Sequence, residues 1–83
     1  MSLGEALIKK ISGKFEPSSY LSLRFRSYDL QLVTDKDGNA IHLFLGKLNA
    51  EGRITGERYA RTLKFDREGK RIKDHWERKG KAT

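Results

Sequence analysis

Apolar and polar side chains alternate through two adjacent stretches of the chain, residues 20–26 and 28–32. A period of two is typical of β-strands that bury one face. The apolar positions change parity between the stretches, so residues 26 and 27 form either a two-residue turn or a bulge in one continuous strand. A turn would pair apolar residues across a hairpin: Phe25 with Tyr28, Leu23 with Leu30, and Leu21 with Leu32.

The first twelve residues follow a helical spacing instead. Leu3, Leu7 and Ile11 are four residues apart and predict a short amphipathic helix over residues 3–12. A strand over residues 7–15 is the alternative. A helix of this length is marginal on its own and needs a sheet to pack on.

Three short segments repeat one turn pattern: an Asx residue, an acid at the third position and Gly at the fourth. They are residues 35–38, 49–52 and 66–69. The Asx side chain accepts hydrogen bonds from its own turn, and Gly adopts a backbone conformation that other residues resist. Because β-rich sequence flanks each segment, the pattern predicts three hairpins in series.

The residues around the first and third turns predict how their strands pair, because cross-strand neighbours share a face. Pairing Asx with Gly in the third turn sets three pairs: Leu63 with Ile72, Arg61 with Asp74, and Tyr59 with Trp76. The same rule for the first turn sets three more: Leu32 with Ile41, Leu30 with Leu43, and Tyr28 with Leu45. A two-residue turn at residues 37 and 38 is the alternative and would pair Leu32 with Leu43.

The middle hairpin favours one extra residue in its turn. With Asn49 paired to Arg53, Leu43 lies opposite Tyr59 and the apolar residues stay on one face. Gly56, in the strand that follows, is predicted to mark a bulge.

These elements predict a single α+β domain over residues 1–83, with a short N-terminal helix packed on a four- to five-stranded antiparallel β-meander. An all-β small open barrel is the alternative. Residues 1–3 are compatible with a vector-derived start, and residues 78–83 are predicted to fray as a basic tail. The helix is expected to cover the apolar face with Leu7, Ile8 and Ile11, and the opposite face is the alternative. The apolar face collects Leu21, Leu23, Phe25, Tyr28, Leu30, Leu32, Ile41, Leu43, Leu45, Tyr59, Leu63, Phe65, Ile72 and Trp76.

Composition adds a charge asymmetry to this picture. The 83 residues carry a formal net charge of +7 at pH 7. Residues 1–52 hold seven Lys/Arg and six Asp/Glu, whereas residues 53–83 hold eleven and five. The positive excess therefore lies on the last two predicted strands and the tail, where it would attract polyanions.

The sequence also indicates a location. The chain has no cysteine, which is compatible with a reducing compartment. It has no run of about 18 apolar residues that would span a membrane, and Lys9 and Lys10 interrupt the only candidate signal-peptide core. We therefore expect a cytoplasmic protein with no membrane partner.

The face opposite the apolar one carries cations and an aromatic ring. The predicted pairing places Phe44 beside Arg58 and His42 beside Ala60. Bases of a single strand stack on exposed rings, while Lys and Arg neutralise phosphates. We therefore expect single-stranded DNA or RNA as the partner, bound by seven residues: Arg24, His42, Phe44, Arg58, Lys64, Lys73 and His75.

Other functions are weighed against this one. The alternative is a protein-interaction module that forms a homodimer through an edge strand or an apolar patch at Phe44 and Val33. We expect no enzyme, because the sequence shows no Cys nucleophile, Gly-rich phosphate loop or Ser/His/Asp arrangement. We expect no cofactor or metal, because residues 35–39 lack the ligand spacing of a calcium loop and predict a turn. Arg61 and Asp74 are predicted to form a structural ion pair.

Overall fold

The computed structural model describes residues 4–82. Its elements are α1 (Glu5–Ile11), β1 (Tyr20–Phe25), β2 (Tyr28–Thr34), β3 (Ala40–Leu48), β4 (Ile54–Phe65) and β5 (Arg71–Lys81). The strands form one antiparallel sheet in chain order, with β1 and β5 as its open edges. The predicted α+β meander with a short N-terminal helix is confirmed over the all-β alternative. Leu3, predicted to lie in the helix, falls outside the described residues.

β1 and β2 are joined by a two-residue turn at Arg26 and Ser27. The apolar positions therefore change parity because the chain turns there, and not because a continuous strand bulges. The predicted pairs are confirmed along the whole hairpin, including Leu21 opposite Leu32. Arg26 adopts a left-handed backbone conformation with φ of 58°, which non-glycine residues rarely take. Its guanidinium lies 5.0 Å from the centroid of the Phe25 ring, a cation–π contact that stabilises the turn.

The β2–β3 and β4–β5 hairpins share a five-residue turn. Asp35 N donates to Asn39 O at 2.9 Å, and Asp66 N donates to Lys70 O at 2.9 Å. In each turn the Asp Oδ1 accepts the backbone N–H groups two and four residues further on, as the Asx pattern predicts. The turns are therefore pinned by their first residue, and each is one residue longer than predicted.

A bulge follows each of these two turns and moves the pairing by a second residue. Leu32 consequently lies opposite Leu43, the alternative pairing, and Leu63 lies opposite Asp74. Two one-residue shifts leave the parity unchanged, so the predicted faces are retained away from the bulges although the predicted partners are wrong. The pairs that this shift overturns are Leu32–Ile41, Leu30–Leu43, Tyr28–Leu45, Tyr59–Trp76, Arg61–Asp74 and Leu63–Ile72.

The β3–β4 hairpin keeps its predicted register, with Leu43 opposite Tyr59. The prediction that Gly56 marks a bulge is wrong, because Gly56 pairs regularly with Gly46. The strands approach closely here: a Cβ on Gly46 would collide with the carbonyl oxygen of Thr55 across the ladder, and one on Gly56 would meet the opposite backbone in the same way. Only glycine therefore fits both positions.

Beyond this glycine pair, the tip of the β3–β4 hairpin turns over the sheet face opposite α1. Gly52 O in the tip accepts a hydrogen bond from Gln31 Nε2 at 3.2 Å, although β2 and β4 are not neighbours in the sheet. Ile54, at the start of β4, is only 2% exposed. We call residues 49–54 the tip, and it covers part of a face that alternation alone predicts to be open.

The hydrophobic core lies between α1 and the apolar sheet face, so the helix covers the predicted side. α1 contributes Leu7 and Ile11, whereas Ile8 is 36% exposed. The sheet contributes five buried residues to this core: Leu30, Leu32, Ala40, Leu43 and Tyr59. Six partly buried residues pack around them: Phe15, Leu21, Leu23, Phe25, Leu45 and Trp76.

Three residues predicted in the core are exposed instead. Tyr28 is 47% exposed, Phe65 51% and Ile72 64%. Phe65 and Ile72 flank the terminal turn of the β4–β5 hairpin, and a seven-residue helix spans only roughly 10 Å. The helix is therefore too short to cover the whole apolar face.

The predicted basic tail is paired strand up to residue 82. β5 continues to Lys81, and Ala82 N donates to Gly56 O at 3.0 Å. The prediction that residues 78–83 fray is therefore wrong for residues 78–82. The reason is the length of β4, which has 12 residues and offers β5 a partner along its whole course.

Arg61 carries a charge into the core. Its side chain is fully buried, and its Nε and Nη2 donate to Asp74 Oδ1 and Oδ2 at 2.6 and 2.7 Å. Nη1 donates to Ala40 O at 3.2 Å. The predicted ion pair is confirmed, although it is diagonal because Arg61 directly faces Trp76. Hydrogen bonds from Arg61 lower the pKa of Asp74 against the effect of partial burial, and the charges of Arg61 and Arg71 lower it further.

Replacing Gly46 by Ala is expected to lower the free energy of unfolding by about 1–3 kcal/mol, because the added methyl group collides with the backbone of β4. Urea denaturation measures this change. Gly13→Ala is the control, since no atom lies within 4 Å of a Cβ there, and we expect a change below about 0.5 kcal/mol. Equally small effects of the two substitutions would contradict the close approach of β3 and β4.

Asp74→Asn is expected to lower the free energy of unfolding at pH 7 by about 3–5 kcal/mol, because Arg61 stays buried without its anion. The folded-state pKa of Asp74 lies below its ordinary value of 3.8, so its stabilisation is complete above that value and disappears as the pH falls through the folded pKa. Urea denaturation across this acid range should show the two proteins converging. A difference that stays constant with pH would contradict the role of the ion pair.

Candidate nucleic-acid interface

The seven residues predicted to bind nucleic acid lie on one side of the sheet, opposite α1. Cross-strand neighbours share a face, and the observed pairing places these residues together with others of the same parity. We call this side the polar face. It includes Tyr20, Ser22, Arg24, Asp29, Gln31, Val33, His42, Phe44, Gly46, Leu48, Ile54, Gly56, Arg58, Ala60, Thr62, Lys64, Lys73, His75, Glu77 and Lys79.

The β4–β5 hairpin projects from the sheet, because β3 pairs with β4 only as far as Ala60. We call the projecting residues 62–75 the ribbon. On its polar face Lys64 lies directly opposite Lys73, with His75 next along β5. Both lysines are exposed, and neither forms an ion pair with a carboxylate of residues 4–82. Like charges directly opposite in a ladder destabilise it, so a bound anion would stabilise this pair.

Glu77 brings a negative charge to the polar face of β5, but Lys79 engages it. Lys79 Nζ contacts Glu77 Oε2 at 2.9 Å. This hydrogen bond lowers the pKa of Glu77, and the charges of Lys79, His75 and Lys73 also lower it. Glu77 therefore stays ionised at neutral pH and compensates Lys79 directly, leaving the opposed lysines of the ribbon without a contacting anion.

Arg24 is separated from the other predicted residues, on edge strand β1. Its Nε lies 3.5 Å from Asp29 Oδ1, and Leu48 N donates to Asp29 Oδ2 at 3.1 Å. These residues line a cleft of about 410 Å³ together with Ser22, Leu23 and Leu30. The structure therefore does not bring Arg24 to the ribbon, and Asp29 compensates its charge.

The centre of the polar face holds Phe44 beside Arg58, and His42 beside Ala60, as predicted. Phe44 is half-buried, whereas the prediction assumed an exposed ring. The exposed ring on this face belongs to Tyr20, which is 61% exposed. Its centroid lies 6.5 Å from that of Phe44, with the planes inclined at 31°. Tyr20 therefore offers the open stacking surface, although it is not among the seven residues predicted to bind.

Gln31 lies under the tip and is only 7% exposed. Tyr20 Oη donates to Gln31 Oε1 at 2.7 Å, and Gln31 Nε2 donates to Gly52 O at 3.2 Å. A cavity of about 210 Å³ opens beside this bridge and is lined by Tyr20, Gln31, Phe44, Arg53, Ile54 and Ala82. Sequence reasoning missed this cavity because it exists only once the tip turns over the face. The one available signal was the pair of glycines in β3 and β4.

The described residues hold no evident metal site. No group of three or more His, Cys, Asp or Glu that could bind a metal ion occurs within residues 4–82. In the segment considered for calcium, Asp35 Oδ1 accepts the N–H groups of Asp37 and Asn39 at 2.9 Å. Burial acts to raise the pKa of Asp35, but these hydrogen bonds bring it below its ordinary value. The carboxylate therefore serves the turn.

Comparisons with known proteins give no relative whose function could be carried over to this chain. No protein-family model matches the chain, and no curated protein or solved structure is significantly similar to it. Between residues 4 and 82, no helix is long and apolar enough to cross a membrane.

Proposed function

We propose that this chain is a small non-catalytic module that binds single-stranded DNA or RNA through its polar face. The observation that carries the proposal is a set of cations without contacting carboxylates, Arg58, Lys64 and Lys73, on the same face as the rings of Tyr20 and Phe44. The cations neutralise phosphates, and the rings stack bases at about 1–3 kcal/mol each.

The bound strand follows the β4–β5 hairpin from the ribbon toward the centre of the sheet. Arg58 and Lys64 are six residues apart along β4, a distance of roughly 20 Å at the rise of a β-strand. Thr62 and His75 face each other between them and supply hydrogen bonds to phosphate or sugar. We propose that the module acts in the cytoplasm, where it binds single strands or regulates their use.

Fluorescence anisotropy of a labelled single strand, titrated with the protein at several salt concentrations, tests this proposal. We expect binding that weakens as salt rises, because each neutralised phosphate releases counterions. Lys64→Ala combined with Lys73→Ala should reduce the slope of log K against log salt by about 1.4, since each phosphate contact contributes roughly 0.7 for a single strand.

The control variant combines Lys9→Ala with Lys10→Ala. It removes the same charge from the last turn of α1, on the other side of the sheet, and we expect the salt slope to stay unchanged. The proposal fails if the wild-type protein does not bind at low salt. It also fails if the two double variants lose affinity equally, because that result would reflect net charge alone.

Exposed apolar side chains favour a second candidate function, a protein-interaction or homodimerisation module. Phe65 is 51% and Ile72 is 64% exposed, and both flank the end of the ribbon. The predicted patch of Phe44 and Val33 is half-buried, so the end of the ribbon is the more open apolar surface. The edge of β5 is also unpaired, although its cations oppose pairing with a second β5.

Static light scattering over a range of concentrations tests self-association. For this candidate, the molar mass rises to that of a dimer at micromolar concentration, and Phe65→Ser with Ile72→Ser returns it to that of a monomer. Tyr28→Ser is the control, because Tyr28 is 47% exposed at the β1–β2 turn, away from the ribbon. A monomeric wild-type protein at high micromolar concentration would eliminate the homodimer.

A further inference from the structure

We infer that the cavity under the tip is a subsite for one unstacked nucleobase, with Gln31 hydrogen-bonding to the edge of the base and Tyr20 stacking on its plane. This inference rests on the proposed function and deepens it, because it names the part of the single strand that the cavity takes. Four observations support it: the free valences of Gln31, the exposed ring, the cations at the rim and the fixed roof.

Gln31 is only 7% exposed and presents its primary amide to a cavity that is open to solvent on one side. Its Oε1 accepts one hydrogen bond, from Tyr20 Oη, and its Nε2 donates one, to Gly52 O. A glutamine amide has two donors and two acceptor lone pairs. One donor and one acceptor are therefore left on an amide that lines the cavity. Gln pairs with the edge of adenine through one donor and one acceptor.

Tyr20 supplies a stacking surface that is exposed yet held in place. Its ring is 61% exposed, while its hydroxyl is anchored on Gln31 at 2.7 Å. The Phe44 ring, 6.5 Å away, closes the apolar wall. A base entering the cavity would therefore stack on a ring whose orientation is already fixed.

Cations stand beside this cavity without competing anions. Arg53 lines the cavity, and Arg58 lies directly opposite Phe44 in the ladder. The two arginines are exposed. Neither guanidinium forms an ion pair with a carboxylate of residues 4–82. The phosphate attached to a bound base therefore has positive charge within reach.

The roof of the cavity is held by the turn at its tip. Asn49 Oδ1 accepts the N–H groups of Glu51 and Arg53 at 2.9 and 3.0 Å, and Asn49 N donates to Arg53 O at 2.8 Å. The cavity of about 210 Å³ is smaller than the roughly 300–1,000 Å³ that drug-sized ligands occupy. A preformed space of this size suits a single base.

Amide NMR spectra of the full chain, titrated with adenosine monophosphate, test the inference. We expect shifts of the Gln31 side-chain N–H signals and of the tip backbone. Ribose 5-phosphate, which lacks the base, is expected to leave the Gln31 signals in place. Tyr20→Ala should weaken adenosine monophosphate binding about fivefold or more through loss of stacking. Tyr28→Ala removes the other strongly exposed tyrosine, at the β1–β2 turn, and should leave binding unchanged.

Each outcome separates the subsite from the proposed function. If long single strands bind and the mononucleotide leaves Gln31 unshifted, the subsite is wrong while the proposed function stands. If ribose 5-phosphate produces the same shifts as the mononucleotide, the cavity binds anions only and the subsite is wrong. If the mononucleotide shifts Gln31 but single strands do not bind, the subsite stands and the proposed function fails.

Discussion

Two glycines that face each other, Gly46 and Gly56, allow β3 and β4 to approach more closely than any side chain permits. The arrangement of the polar face depends on this approach. Directly beyond this pair the tip lies over the sheet, where Gly52 O meets the amide of Gln31 and Ile54 is buried. Without the tip, the polar face would be an open surface of alternating residues. With it, the face has a cavity with an aromatic wall, a buried amide and a basic rim.

The β4–β5 hairpin carries ion-paired arginines on its helix side and, on its polar face, two lysines without a contacting carboxylate among residues 4–82. On the helix side, the buried cation Arg61 is matched by Asp74 with two hydrogen bonds, and Arg78 is matched by Glu57 at 2.8 Å. On the polar face, the lysines of the ribbon contact no carboxylate of the described chain. Exposed cations are paired as well, since Arg24 contacts Asp29 and Lys79 contacts Glu77. Lys64 and Lys73, however, stay in water with no such contact in the described chain and are left for a partner. The basic excess of residues 53–83 is shared between both sides of the β4–β5 hairpin, and the part on the polar face that contacts no carboxylate of residues 4–82 is Arg58, Lys64 and Lys73.

Much of this fold can be predicted from the sequence, and the failures have physical causes. Alternation identifies both faces of the sheet, and the Asx-pinned turns locate three hairpins correctly. Partners in two hairpins are off by two residues, because one extra turn residue and one bulge leave the apolar pattern unchanged and so leave no trace in it. The cavity could not be predicted, because Tyr20, Gln31 and Arg53 meet only when the tip turns over the sheet. A single glycine within a strand is also more readily interpreted as a bulge than as a close approach of two strands.

Mapping amide chemical shifts over the whole chain, as a single-stranded RNA is added at low salt, measures directly which surface binds. Binding through the polar face predicts shifts along Arg58, Lys64, Lys73 and the tip, with α1 and Trp76 unaffected on the other side. Shifts confined to α1 and the apolar end of the ribbon, or a spectrum that does not change, would contradict it.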